Sequence, residues 1–256
     1  MAAPRILVPA IGPSDRVVTL PDGEAHHIAR VLRAAVGDEV SMFDGRGREW
    51  IGRVSSVGSG PVVVDVLHET TPAAEPHVRL TLAIGLLKGE QMDTVVRDAT
   101  MLGVSRIAPL VTAHVSVPSR AWKSTTVIER WRRVAIASSK QCGRAVVPEI
   151  LPVVRFADFA QPAQAVAAEG PMRESILMCV EPKLASSAPD RTAAGEKIAR
   201  PVAATILVGP EGGWSEEEIE QARAIGAALI HLGPRTLRAE TVPTVVLTAL
   251  WTAWGW

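Results

Sequence analysis

One C-terminal stretch decides the fold: residues 206–256 read ILVGPEGGWSEEEIEQARAIGAALIHLGPRTLRAETVPTVVLTALWTAWGW. An apolar run at 203–208 ends in a turn rich in glycine and proline, and Ser215 with Glu218 three residues later predicts a capped helix. A second apolar run, 227–232, ends in a second loop at 233–241, and a last helix is predicted from about Thr241, with Pro243 in its first turn. The stretch therefore predicts two consecutive strand–loop–helix units.

The first of these loops lies between a strand and a helix, which is a common position for an anion-binding site. Here three consecutive glutamates, 216–218, occupy the first turn of the helix, and their charge would repel a phosphate. Neither the GxGxxG nor the GxxxxGK[ST] pattern is present. We therefore expect a ligand held mainly by backbone groups, uncharged or cationic near Glu211.

The two loop motifs, LVGPEGGWSEEE at 207–218 and LGPRTLRAET at 232–241, resemble those of the RsmE family of ribosomal RNA methyltransferases, in the SPOUT superfamily. Similar segments elsewhere are KGEQMD at 88–93, LGVSRIAPL at 102–110 and QCGRAVVPEI at 141–150. The resemblance implies an α/β fold with a parallel sheet, a C-terminal trefoil knot that forms a pocket for S-adenosylmethionine (SAM), and a small PUA-like β-barrel at the N-terminus. Three residues depart from the family pattern: Met101, Lys140 and Ala239.

The chain is expected to contain two domains. Residues 1–70 alternate short apolar runs with Gly and Asp turns, which predicts a small barrel, with one helix over 23–35. The resemblance implies that this barrel binds RNA. Residues 71–77 form a proline-rich linker. Residues 78–256 alternate continuous apolar strands with helices, which indicates a parallel sheet covered on both faces. The resemblance implies that this part of the chain is the methyltransferase domain. Helices are predicted over 125–139 and 157–168, and residues 182–200 resemble an insertion.

The composition limits the possible functions. Lys and Arg number 27 and Asp and Glu number 27, so RNA contacts must come from local patches rather than from the net charge. Two cysteines, Cys142 and Cys179, suit neither a disulfide framework nor a metal site, and we expect both to be buried thiols in a reducing cytosol. No signal peptide is indicated, and no apolar run approaches the ~20 residues of a membrane span, so a cytoplasmic location is expected.

Basic residues suggest where RNA could bind. Arg30 and Arg33 belong to the helix predicted in the first domain, although a solvated helix face would have the same pattern. In the second domain, a basic cluster includes Trp122 and Trp131, a combination that suits looped RNA. The members of this cluster are Arg130, Arg132, Arg133, Lys140 and Arg144. The RNA-contact candidates are Arg30, Arg33, Lys88, Arg132, Arg133 and Arg144.

The resemblance implies methyl transfer from SAM to N3 of a specific uridine in 16S rRNA of the small ribosomal subunit. Arg238 would then stabilise negative charge on the uracil oxygens, and Glu240 would accept the N3 proton or orient the base. Glu211 would order the loop or lie near the sulfonium. Two structural alternatives stay open: an Arg238–Glu240 ion pair that braces the loop, and a Glu211 that only binds backbone amides. Cofactor contacts are expected at Val180, Val208, Gly209, Gly213, Leu232, Gly233 and Leu237.

The last helix carries a stripe of large apolar residues: Leu247, Leu250, Trp251 and Trp254. The stripe is either core or, as the resemblance implies, the interface of a homodimer. Two other functions also stay open, a SPOUT methyltransferase acting on another RNA such as tRNA and a non-catalytic ribosome-binding module. The second would predict degraded loops, whereas both loops keep their glycines and charged residues. The missing dinucleotide fingerprint disfavours a Rossmann oxidoreductase.

Overall fold

The computed structural model describes residues 3–58, 60–118, 125–161, 174–182, 192–193 and 199–255. Two compact units are present. The N-terminal unit contains Met1–Glu75 together with Ile136–Val147, and the C-terminal unit contains Pro76–Ala135 and Pro148–Trp256. The sequence did not indicate that Ile136–Val147 belongs with the first seventy-five residues, because that grouping depends on contacts between distant segments.

The N-terminal unit contains a five-stranded sheet in the order β1-β3-β4-β5-β2. Its strands are β1 Arg5–Leu7, β2 Val17–Thr19, β3 Glu39–Phe43, β4 Glu49–Ser56 and β5 Val63–Thr70. Pairing is antiparallel except between β1 and β3, which are parallel. Alternate strand residues such as Val40, Met42 and Val64 are fully buried, so one face of the sheet forms the core of this unit.

The helix predicted over 23–35 is shorter and irregular. An α-helix, α1 Asp22–His26, continues directly into a π-helical turn, His27–Val31. Arg33 then has a φ of 54°, the left-handed conformation that ends a right-handed helix. The predicted length of this helix was wrong, because residue propensities do not indicate where a residue such as Arg33 adopts a left-handed backbone conformation.

The C-terminal unit contains an eight-stranded sheet in which every pair of strands is parallel. The strands are β6 Arg79–Gly85, β7 Arg106–Val111, β8 Glu149–Ile150, β9 Val154–Arg155, β10 Ser175–Cys179, β11 Thr192–Ala193, β12 Ala203–Val208 and β13 Ala228–His231. Their order is β11-β13-β10-β12-β6-β7-β8, and β9 also pairs with β7. The predicted parallel sheet is confirmed, and this order is consistent with the knot that the resemblance implies.

The described helices of this unit are α2 Gln91–Met101, α3 Thr125–Cys142, α4 Phe156–Phe159, α5 Glu216–Ala224 and α6 Val242–Trp254. Helix α3 begins in the C-terminal unit and ends in residues assigned to the N-terminal unit. Helix α2 buries one face that includes Met92, Val95, Val96 and Ala99, and α6 packs against α2. Most of the helix predicted over 157–168 and of the insertion predicted over 182–200 falls outside the described residues.

The direction of the strands positions the site. Because neighbouring parallel strands end at the same edge of a sheet, the loops that follow β10, β12 and β13 meet there. Among the described residues, none of the helices has the length and apolar character that crossing a membrane requires.

Candidate functional site

A cavity of about 360 Å³ lies at the carboxyl ends of β10, β12 and β13. Its volume falls in the range of about 300–1,000 Å³ that small-molecule sites occupy. The end of β12 and the loop after it contribute Val208, Gly209, Pro210, Glu211, Gly213 and Trp214. The loop after β13 contributes Leu232, Arg235, Thr236, Leu237, Arg238, Ala239 and Glu240. The remaining lining residues are Gln91, Cys179, Val180, Glu181, Pro182 and Val242.

The cavity brings together most of the residues that the sequence singled out. Of the seven expected cofactor contacts, six line it, and Gly233 does not. All three catalytic candidates, Glu211, Arg238 and Glu240, also line the cavity. Their chemical roles stay predictions. The sequence did not single out Gln91, Glu181 or Trp214, which come from three different elements.

The loop after β12 is packed closely against the strand beside it. A Cβ atom on Gly85, at the end of β6, would lie 2.7 Å from both the nitrogen and Cδ of Pro210. Gly213 has a φ of 71°, a conformation that favours glycine. The tight turn predicted from the glycines is therefore present, and the absence of a side chain at Gly85 is what allows the loop to approach β6.

Trp214 forms part of the cavity wall and is itself buried. Its indole Nε1 donates a hydrogen bond of 3.0 Å to the carbonyl oxygen of Cys179. The ring also packs against Phe156, with ring centroids 5.1 Å apart. The hydrogen bond to Cys179 connects the first loop to the end of β10. The only sequence signal for it is the single aromatic residue between the glycines and the helix cap.

The capping box predicted at the start of α5 is confirmed. Glu218 N donates to Ser215 Oγ at 3.2 Å, and Ser215 N donates to Glu218 Oε2 at 3.0 Å. Glu218 Oε1 also accepts a bond of 2.8 Å from Ala113 N, so this buried carboxylate joins α5 to the loop after β7. A hydrogen bond from its own backbone amide and then one from Ser215 hold the pKa of Glu217 below its usual range. Glu217 therefore stays ionised in the first turn of α5, which disfavours a phosphate there.

Glu211 is held by contacts with the loop after β6 and the start of α2. Its Oε1 accepts a bond of 3.1 Å from Lys88 N. With the Gln91 amide assigned in the orientation that satisfies its neighbours, Gln91 nitrogen donates to the same Oε1 at 2.8 Å and to Lys88 O at 3.0 Å. These bonds favour the role of Glu211 in ordering the loop.

Arg238 and Glu240 lie near each other on the second loop, but they form only a loose ion pair. Arg238 Nη1 is 3.9 Å from Glu240 Oε1, which is beyond hydrogen-bonding distance. The Arg238 side chain is 85% exposed, whereas that of Glu240 is 19% exposed. A pair of this kind stabilises a loop little, so the guanidinium is free to meet a ligand.

Four of the RNA-contact candidates, Arg30, Arg33, Arg132 and Arg133, are exposed and have no ion-pair partner among the described residues. Lys88 is also exposed. The prediction for Arg144 was wrong. Arg144 is buried, and its Nε lies 2.9 Å from both carboxylate oxygens of Glu75.

The basic cluster predicted around α3 is smaller than its sequence suggests. Lys140 Nζ donates to Glu24 Oε2 at 2.6 Å, and Arg130 Nε donates to Asp93 Oδ2 at 2.8 Å. Trp131 is buried and cannot stack on a base, and Trp122 lies outside the described residues. Acidic partners from distant parts of the chain neutralise these cations, which a local charge pattern cannot reveal.

The two cysteines differ. Cys179 is buried as predicted, and burial raises the pKa of its thiol to about 12. The prediction for Cys142 was wrong, because this residue is exposed near the end of α3. In the part of the chain that the structure describes, no group of His, Cys, Asp and Glu could hold a metal ion.

Helix α6 divides its side chains between two faces. Leu247, Leu250 and Trp254 are buried within this chain, so they serve as core. Val245, Thr248 and Thr252 are exposed on the other side of the helix. Trp251, the fourth member of the predicted stripe, is half-buried, so a partner molecule would meet mainly the exposed face.

Comparison with known proteins agrees with this fold. A family model described as an RNA methyltransferase domain matches residues 74–251, and one described as an RNA methyltransferase PUA domain matches residues 20–67. The ribosomal RNA small subunit methyltransferase E of Synechocystis is 30% identical over 236 residues, which cover 92% of this chain and 73% of that protein. Its Bacillus subtilis counterpart is 29% identical over 231 residues, 89% of this chain and 86% of that protein.

Among solved structures, the ribosomal RNA small subunit methyltransferase E of Neisseria gonorrhoeae, bound to SAM, superposes with a TM-score of 0.85 and 28% identity. The match covers 99% of this chain and 98% of that one. Fold and cavity together define an RNA methyltransferase of the SPOUT class. The chain belongs to the ribosomal RNA small subunit methyltransferase E family, RsmE.

Proposed function

We propose that this protein transfers the methyl group of SAM to N3 of a specific uridine in 16S rRNA of the small ribosomal subunit. The observation that carries the proposal is an exposed Arg238 beside Glu240 on the wall of a ligand-sized cavity. Family membership supports the rRNA substrate, since the relatives are named for it. The SAM-bound Neisseria relative supports the cofactor.

The residues of the cavity fit SAM. The anionic first turn of α5 disfavours a phosphate, and SAM has none, while its sulfonium suits a wall that includes Glu211 and Glu240. Gly209 and Gly213 allow a ligand to approach the backbone closely. We propose that SAM is held by Val180, Val208, Gly209, Gly213, Leu232 and Leu237, with Gly233 shaping the second loop.

SAM, when bound, supplies an electrophilic methyl group. Uracil N3 must lose its proton to become nucleophilic, and the resulting negative charge spreads to the two flanking oxygens. The planar guanidinium of Arg238 donates to these oxygens and stabilises that charge. Glu240 accepts the N3 proton, since its carboxylate lies on the same loop and is mostly shielded from solvent. Glu211 holds the first loop through Lys88 N and Gln91.

The exposed cations are proposed to bind the RNA backbone. Arg30 and Arg33 serve this role in the N-terminal unit, and Lys88, Arg132 and Arg133 in the C-terminal unit. Each phosphate contact contributes to the salt dependence of binding, so replacing one of these residues should reduce the slope of log K against log salt by about one. We further propose that the protein acts in the cytoplasm as a homodimer through the exposed face of α6.

The experiment that tests this function measures transfer of labelled methyl groups from SAM to small subunits and to bare 16S rRNA that lack the modification. Arg238→Ala should lower kcat by about 100-fold or more, as loss of a transition-state donor does, with SAM affinity retained. Arg106→Ala is the matched control, because exposed Arg106 begins β7 at the opposite edge of the sheet. Equal rates for Arg238→Ala and wild type would contradict the assigned chemistry.

A further inference from the structure

Glu181 is an acidic residue of the cavity wall that the proposed mechanism does not use. It lies just beyond β10, and its side chain is exposed and lines the cavity. Its Oε1 is 3.3 Å from the point where a Cβ atom on Gly213 would lie. The carboxylate therefore reaches across from the end of β10 to the first loop and lies beside Gly213.

The other two acidic residues of the wall already have contacts. Glu211 accepts hydrogen bonds from Lys88 N and Gln91, and Glu240 faces Arg238 at 3.9 Å. Glu181 has neither a hydrogen bond nor an ion pair with any residue that the structure describes. A carboxylate that faces a ligand cavity without a protein partner is available to accept hydrogen bonds from the ligand.

We propose that Glu181 binds the two ribose hydroxyls of SAM, an assignment that rests on the proposed function. An ionised carboxylate is a pure acceptor with two oxygens, and a vicinal diol offers two donors at matching spacing. An acidic side chain that binds a ribose hydroxyl near the carboxyl end of a parallel strand is a recurrent solution in α/β nucleotide sites. Glu181 occupies such a position after β10.

The sulfonium of SAM fits this position less well. The methyl-bearing sulfur must face the uridine, and hence the loop that carries Arg238 and Glu240. Glu181 follows a different strand and approaches the first loop beside Gly213. The ribose, which links the sulfur to the adenine, carries two neighbouring hydroxyl donors that match the two oxygens of one carboxylate, whereas the ammonium and the adenine amino group each present a single nitrogen.

The test measures dissociation constants by calorimetry for wild type, Glu181→Gln and Glu181→Ala. The first probe is SAM. The second is S-adenosylhomocysteine, which lacks the positive charge on sulfur, and the third is 5′-methylthioadenosine, which also lacks the amino-acid group. All three carry the ribose diol. We expect Glu181→Gln to weaken binding of all three by a similar factor, about tenfold, and Glu181→Ala by more. The 2′-deoxy analogue of methylthioadenosine should bind wild type and Glu181→Ala with more similar affinities.

Several results would overturn the assignment. Unchanged affinities in Glu181→Ala would exclude a ligand contact, a loss confined to SAM would indicate the sulfonium, and a loss that spares methylthioadenosine would indicate the amino-acid group. Glu220→Gln removes an exposed glutamate later in α5 that does not line the cavity, and it should bind all probes as wild type does. Failure of wild type itself to bind SAM would instead overturn the proposed function, so the two failures are distinguishable.

Discussion

Replacing Gly85 with alanine should disturb the cofactor site by adding one methyl group outside the cavity. Gly85 ends β6, is buried, and does not line the cavity. The new Cβ would lie 2.7 Å from Pro210 N and Cδ, whereas ordinary contact begins near 3.4 Å. Because the clashing atoms belong to the backbone and to a proline ring, no side-chain rotation can relieve the clash. The first loop must therefore move by about 0.7 Å.

The size of that displacement determines how much stability and SAM affinity we expect the substitution to cost. Inserting a methyl group into a well-packed site costs about 1–3 kcal/mol of unfolding free energy. Misplacing site residues by about 1 Å can lower activity by a factor of about 100. The first loop is expected to move less than this, by about 0.7 Å, and we therefore expect its contacts with SAM to weaken by about tenfold in affinity. Calorimetry gives the dissociation constant, and thermal unfolding without ligand gives the stability.

A second glycine provides the matched control. Gly23 lies within α1, and a Cβ there would meet nothing within 4 Å. Gly23→Ala should leave SAM binding unchanged and stabilise the protein slightly, by up to about 1 kcal/mol. If Gly85→Ala bound SAM as tightly as wild type, the close approach of the first loop to β6 would not hold the cofactor site.

Three further predictions concern residues that the structure reinterprets or confirms. Arg144→Ala should lower the denaturation free energy by about 2 kcal/mol, because it leaves the partly exposed Glu75 without its buried partner. Native protein at pH 8 should react with one equivalent of a thiol reagent, at the exposed Cys142. Cys179 should react only after unfolding, because burial raises the pKa of its thiol to about 12. Ser215→Ala should cost about 1 kcal/mol in thermal stability through loss of the helix cap.

The elements of the C-terminal unit were largely predictable from the sequence. The continuous apolar run at 203–208 located β12 at its observed bounds, because a strand that is buried on both faces consists almost entirely of apolar residues. Ser215 and Glu218 marked the start of α5, since a capping box is formed by neighbouring residues. Local chemistry therefore sufficed wherever the stabilising contact was itself local.

The remaining features depend on contacts between distant residues. Glu75 precedes its partner Arg144 by 69 positions, so the basic cluster gave no sign that this cation is buried and neutralised. The Trp214 hydrogen bond to the Cys179 carbonyl depends on two loops that meet only in the folded sheet. Recognition of the loop motifs located the cavity, but it did not identify Glu181, because a single glutamate after a strand has no distinguishing pattern.

The position of the transferred methyl group tests the central proposal most directly. Small subunits lacking the modification would be incubated with the protein and SAM, and the 16S rRNA would then be digested and its nucleosides and fragments identified by mass spectrometry. We predict 3-methyluridine at one site, formed by wild type and by Arg106→Ala but not by Arg238→Ala. A methyl group on the ribose, on carbon 5 of the base or on a different RNA would contradict the proposed function.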